Sequence, residues 1–166
     1  MNLVIRKMTL EDIPAVVQLD QLSFSLPWPE RSFRFEVTDN PASRCWVAEA
    51  DQRIAGMVVA WLFVSELHIA TIATHPELRR QGIARRLLAH SLLQAVEEGA
   101  RSSFLEVRES NLAAQELYRK FGYVESGRRR RYYRDNDEDA ILMNLEPLNR
   151  DRLIVGGDAA AGKEQV

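Results

Sequence analysis

The sequence predicts a single α/β domain, with a mixed, mostly antiparallel central sheet flanked by helices. Three observations lead there. Segments with a period of two and segments with a period near 3.6 are interleaved along the chain. Two apolar runs, residues 45–49 and 54–63, flank the turn "ADQR" and read as an antiparallel hairpin. Further on, a strand at 66–74, a long amphipathic helix and a strand at 104–107 form one crossover unit, which makes two strands parallel in an otherwise antiparallel sheet.

Taken in order, residues 3–5 predict a short first strand. Residues 9–12, "TLED", predict a helix entry with acidic residues in its first turn. The apolar face of that helix runs through Ile13, Val16, Val17, Leu19 and Leu22 until "LPWPE" breaks it. A second short helix follows at 30–37, then the hairpin and the strand at 66–74. Ala84, Leu87, Leu88, Leu92 and Ala95 mark one face of the long helix, which ends near Gly99. Residues 111–121 are helical, with Ala114, Leu117, Tyr118 and Phe121 on one face. Strands at 123–131 and 140–145, around a charged loop, close the pattern. The domain spans residues 1–149, and the Gly/Ala-rich residues 150–166 predict a disordered tail.

Composition narrows the function classes. A length of 166 residues with 46% hydrophobic and 28% charged content fits one soluble globular domain. The net charge of −2 carries no global bias towards nucleic acid or an anionic membrane, so any anion site must be local. One cysteine, Cys45, leaves no disulfide framework and no multi-cysteine metal site. His68, His75 and His90 show no metal-ligand spacing, so no metal is expected. The N-terminus lacks a signal-like apolar core, and the longest apolar run is too short to span a bilayer. A cytoplasmic location is expected. "GDAAAGKE", residues 157–164, approaches a phosphate-binding P-loop but ends in Glu and has no room for the helix such a loop requires.

The stretch that demands chemistry is "HPELRRQGIARRLL", residues 75–88. Arginines crowd a helix start, where the backbone already carries partial positive charge. A bound anion would relieve that conflict. Gly82 lets a ligand approach the backbone, the free N–H groups of the first turn point at it, and Arg79, Arg80, Arg85 and Arg86 supply charge. The plain alternative is a solvated basic face with a tolerated glycine.

Arg79-x-x-Gly82-x-Ala84 fits the signature of the GNAT superfamily of N-acetyltransferases, and three more stretches extend the likeness. "FSLPWPERSF", "LEVRESNLAAQELYRKFGY" and "RRRRYYRDNDEDAILM" closely resemble the ribosomal-protein-alanine N-acetyltransferases, over roughly residues 2–146. "SELHIATIATHP" is also similar to the archaeal and eukaryotic catalytic subunits of protein N-terminal acetyltransferases. The resemblance implies acetyl-coenzyme A as co-substrate and a protein N-terminus, that of a ribosomal protein beginning with alanine, as acceptor. It further implies that Ile72, Ala73 and Thr74 offer backbone groups to the pantetheine arm and acetyl carbonyl. Arg79, Arg80, Gln81, Gly82, Ile83, Ala84 and Arg85 would wrap the pyrophosphate, and Asn111 would touch the cofactor beyond it. Asn111 has a second reading as helix N-cap.

Glu106 stands in the apolar strand "FLEVR", where period two puts Phe104, Glu106 and Arg108 on one face. A carboxylate there must be paired, hydrated or functional. An ion pair with Arg108 or another arginine is the structural reading, and the resemblance implies a general base. Tyr118 lies on an apolar helix face, where core packing is the plain reading. The resemblance implies a general acid, and a phenol pKa of about 10 suits that role. Trp28, Tyr132 and Tyr133 are candidates for the walls of a peptide groove. Two rival functions stand beside this one: acetylation of lysine or a small-molecule amine, and nucleic-acid binding through Arg128 to Arg134, which the following acidic residues argue against.

Overall fold

The computed structural model describes residues 1–153. Seven strands and four helices follow in the order β1 (Leu3–Lys7), α1 (Ile13–Ser23), α2 (Glu30–Thr38), β2 (Ser43–Ala50), β3 (Arg53–Phe63), β4 (Glu66–Thr74), α3 (Ile83–Glu97), β5 (Ser102–Arg108), α4 (Leu112–Phe121), β6 (Val124–Tyr133) and β7 (Glu138–Leu145). They make one sheet in the order β1-β2-β3-β4-β5-β7-β6. Every neighbouring pair is antiparallel except β4 and β5, which α3 joins as a crossover.

Local chemistry explains most of the boundaries. Thr9 and Asp12 form a reciprocal capping box on a 3-10 turn at Leu10–Asp12, and Arg6 clamps the Asp12 carboxylate with two 2.8 Å bonds. The α-helix itself starts one turn later than the sequence suggests. Asp51 and Gln52, both at positive φ, make the tight turn between β2 and β3. Gly122, at φ 102°, ends α4 in the left-handed conformation a glycine tolerates.

Two apolar layers sandwich the sheet. On one face α3 and α4 cover Ala55, Val58, Leu67, Ile69 and Leu105 with Ile83, Leu87, Leu88, Leu92 and Tyr118. On the other, α1 and α2 cover Val47, Met57, Val59 and Ala73 with Ile13, Val16, Leu19 and Phe33. The α1 face departs from the sequence expectation at its last turn: Leu22 is 51% exposed and Asp20 is turned inward at 1%. α3 lies so close to β3 that a Cβ on Gly56 would sit 2.9 Å from both Ile83 and Leu87 side chains and 3.0 Å from the Ala73 carbonyl. Gly56→Ala is therefore expected to cost about 1–3 kcal/mol of stability by overpacking, read by denaturant unfolding with an unchanged m-value.

A β-bulge shapes β4. Val59 of β3 faces Thr71 while Ala60 faces Ile69, so Ala70 is the extra residue. The slip exchanges the faces of the strand. Leu67 and Ile69 pack on the α3 side, and beyond the bulge Ile72 does so; Ala70 and Ala73 pack on the α1 side. At the chain's far end, residues 150–153 form a helical turn with Leu153 buried at 3%, so order extends four residues past the expected domain boundary. Residues 154–166, including the P-loop-like stretch, lie outside the described residues.

Candidate active site

Parallel pairing of β4 with β5 covers Glu66 to Ile69 against Ser102 to Leu105 and then stops. It stops where Ala70 bulges. A bulge bends its strand, and the two strands part beyond it, which opens a cleft of about 440 Å³ through the sheet. Because the opening runs through the sheet, groups from both layers meet in it. Ile69, Ala70, Thr71 and Ile72 come from β4, Leu105 to Arg108 from β5, and Asn111, Ala114 and Tyr118 from the start of α4 and its helix. Asp20, Ser23, Phe24, Ser25, Leu26 and Trp28 come from the α1 side, and Tyr133 from the end of β6.

Glu106 projects into this cleft with its side chain 14% exposed. Its partner is His68 on β4, whose Nε2 lies 2.7 Å from Glu106 Oε2, rather than Arg108. The imidazole stacks face to face on Phe104 at 4.2 Å and meets Trp61 edge-on at 5.2 Å. Trp61 in turn is anchored by its indole N–H to Glu36 and stacks on Trp28 at 6.4 Å. Burial pushes the Glu106 carboxyl up, but the His68 hydrogen bond and charge, with Arg129 more distantly, outweigh burial and leave it below the ordinary carboxylate range. Glu106 is a carboxylate at neutral pH.

Tyr118 is 6% exposed and packs edge-on against Tyr123 at 5.8 Å. Burial, and then the neighbouring Tyr133, raise its phenol well above the ordinary value. It remains protonated and can donate. Tyr133 is also pushed up by burial, to about 12, against the lowering effect of Arg108, whose guanidinium lies 3.9 Å from the ring centre. Arg108 reaches Asp135 at 3.0 Å and Glu138 at 3.4 Å, and Asp135 accepts a hydrogen bond from the Ser25 hydroxyl. These contacts tie the α1–α2 loop to the β6–β7 turn beside the cleft.

A second concavity, about 300 Å³, lies at the start of α3. Thr74, Arg79, Arg80, Gly82, Ile83, Ala84 and Arg85 line it, facing Ala113, Glu116, Leu117 and Lys120. Gly82 is the N-cap at φ 79°, and Arg80 also takes a positive φ of 65°. The loop therefore turns twice through the left-handed region before the helix begins. Arg79, Arg80 and Arg85 have no carboxylate partner among the described residues, and the buried Thr74 hydroxyl has no hydrogen-bond partner among them. A 15-residue helix start, three unpaired guanidinium groups and an orphaned hydroxyl together fit a multiply charged phosphate group.

Most of the residues singled out in the sequence fall into these two places. Glu106, Tyr118, Ile72, Asn111, Trp28 and Tyr133 line the cleft, and Thr74 and the Arg79–Arg85 loop line the concavity, except for Gln81, which is exposed. Ala73 is buried between β3 and the α1 side. Asn111 does cap α4, its Oδ1 accepting from Ala114 N at 3.2 Å, which leaves its amide N–H₂ free to donate to a ligand. Tyr132 does not line the cleft: it is 45% exposed, with Arg129 near its ring. The two rings meet edge-on at 5.1 Å, and of the pair it is Tyr133 that reaches the cleft. Within the basic cluster, Arg128 is paired with Glu109, Glu125 and Asp139. His68, Asp20 and Arg108 were not singled out as site residues. His68 was legible in principle: it alternates with Leu67 and Ile69, and parallel pairing of β4 with β5 sets it beside Phe104.

Comparison with known proteins identifies the family and the fold. The acetyltransferase (GNAT) family model matches residues 13–123. A ribosomal protein bS18-alanine N-acetyltransferase of Escherichia coli K12 is 34% identical over 138 residues, 81% of this chain and 90% of its own. A Bacillus subtilis relative, provisionally named for the same activity, is 40% identical over 139 residues, 84% of this chain and 92% of its own. The crystal structure of the Escherichia coli ribosomal-protein-S18-alanine N-acetyltransferase superposes with a TM-score of 0.82 at 31% identity, covering 89% of this chain and 95% of that one.

Proposed function

Because this chain belongs to the acetyltransferase (GNAT) family, we propose that it transfers acetyl from acetyl-coenzyme A to the α-amine of a protein N-terminus, that of ribosomal protein bS18 beginning with alanine. It is an acyltransferase. The observation that carries the finer reading is the split between β4 and β5, which brings an ionised carboxylate and a protonated phenol into one cleft. The relatives named for bS18-alanine acetylation support the acceptor.

In this reading the concavity at α3 holds the pyrophosphate, and the pantetheine arm runs along Ile72 to the cleft. Transfer requires a neutral amine to attack the thioester carbonyl, and that attack leaves a proton on nitrogen and negative charge on the departing sulfur. Glu106, ionised and oriented by His68, takes the proton directly or through water. Tyr118 supplies a proton to the thiolate. Its own pKa is high, but the burial that raises it also raises the proton affinity of a thiolate leaving in the same cleft.

The acceptor follows from amine chemistry. α-Amines titrate near 7.7–8.0 and lysine near 10.4, so around neutrality an α-amine is neutral a few hundredfold more often. A carboxylate held below the ordinary range is a weak base, suited to the amine already deprotonated. The test is a peptide with a free N-terminal alanine and internal lysines. Mass spectrometry should place a single acetyl at the terminus, and blocking the terminus should abolish turnover. Comparable acetylation of lysines in the blocked peptide would reject the N-terminal assignment.

A further inference from the structure

Asp20 is the carboxyl group in the cleft that the chemistry above leaves unused; burial raises its pKa, and the Trp28 N–H opposes that rise. It lies in the last turn of α1, 1% exposed, and it lines the cleft with Glu106, Trp28 and Tyr133. Its Oδ2 accepts the Trp28 backbone N–H at 2.7 Å, which fixes the loop that carries the Trp28 ring. Oδ1 has no partner among the described residues, and no cation faces the group. Oδ1 is not among the atoms sealed from solvent, so it opens on the cleft, where water satisfies it until a ligand donor takes the place of that water. What enters this cleft is an amine, whose N–H groups are the complement of an acceptor-only oxygen.

We propose that Asp20 is a substrate-contacting residue whose free Oδ1 accepts one N–H of the incoming amine, so that the nitrogen lone pair is aimed at the thioester carbonyl. This rests on the α-amine acetyltransferase reading given above. On attack the nitrogen carries two hydrogens: the one held by Asp20 stays and becomes the amide N–H of the product, and the other passes to Glu106. Asp20 itself neither gains nor loses a proton. A primary amine satisfies both carboxylates, whereas a secondary amine has one hydrogen too few. The selectivity that results is for a primary α-amine.

The test uses Asp20→Asn in the full chain. Asparagine keeps an oxygen for the Trp28 N–H but sets an N–H₂ group where the amine N–H should point. A purely structural cap would tolerate the change. Expected is a fall in kcat/KM for the alanine peptide of about 10- to 100-fold, the worth of one hydrogen bond to a charged group, with melting temperature and acetyl-coenzyme A affinity unchanged. Wild-type kcat/KM in a folded Asp20→Asn protein would overturn the proposal. A second measurement needs no variant: the native enzyme should prefer an N-terminal alanine peptide over its N-methylalanine counterpart at least 10-fold, and equal rates would also overturn the proposal. If the native protein acetylates no α-amine, it is the functional reading that fails, and the two failures are distinct.

Discussion

Replacing Glu106 with glutamine is expected to lower kcat by about 10²–10⁴-fold, the usual loss when a general base is removed, while acetyl-coenzyme A binding measured by calorimetry stays near wild type. The two effects separate because Glu106 lines the cleft between β4 and β5, whereas the arginine loop lies in the separate concavity at the start of α3. The sign of the pH dependence follows from the environment of the carboxylate. Its pKa is held below the ordinary range, since His68 outweighs burial, so the basic form is present above that value and is lost only as the pH falls through it. The acidic limb of kcat/KM expected near neutrality is therefore that of the substrate amine, and it should sit near 7.7–8.0 in wild type and variant alike. His68→Phe removes the hydrogen bond while keeping an aromatic ring against Phe104, and the Glu106 carboxyl should then titrate higher by carbon-13 NMR. An unchanged titration would remove His68 from the mechanism, and wild-type turnover in Glu106→Gln would remove Glu106.

Replacing Gly82 with valine should weaken acetyl-coenzyme A binding by at least about 10²-fold, the loss of two charge-assisted hydrogen bonds to phosphate. Two physical reasons converge. Gly82 occupies φ 79°, where a β-branched residue is strained and would shift the first turn of α3. A side chain there would also fill the concavity in which Arg79, Arg80 and Arg85 converge. The strain falls on an exposed loop, so circular dichroism and the thermal transition should show a folded protein. Calorimetry that gave wild-type affinity in a folded Gly82→Val protein would move the pyrophosphate elsewhere.

Local periodicity and turn chemistry were enough to read the order of strands and helices, the parallel crossover through α3 and the arginine–glycine loop. Each of these depends on residues close together in the chain: the 66–74 strand agrees residue for residue, and α3 begins one residue ahead of its first marked position. The same is true of the Asn111 cap and of the Phe104–Glu106–Arg108 face. The inward turn of Asp20 was hidden, because Leu22 continued the apolar spacing while the Trp28 N–H, eight residues on, drew the carboxyl in. That Tyr133 and not Tyr132 lines the cleft was hidden by the register shift between Arg129 and Tyr133. The cleft itself depends on an alanine. Ala70 bulges with no glycine or proline to announce it, because a bulge is set by the register of β3 against β4 and not by the intrinsic preference of the bulged residue. From that slip follow the parting of β4 from β5 and the exchange of faces along β4. The meeting of His68 with Glu106, 38 positions apart, rests instead on the parallel pairing just before the slip. Residue types and their local spacing carried the chemistry available to this chain, and long-range strand register brought the chemical groups together.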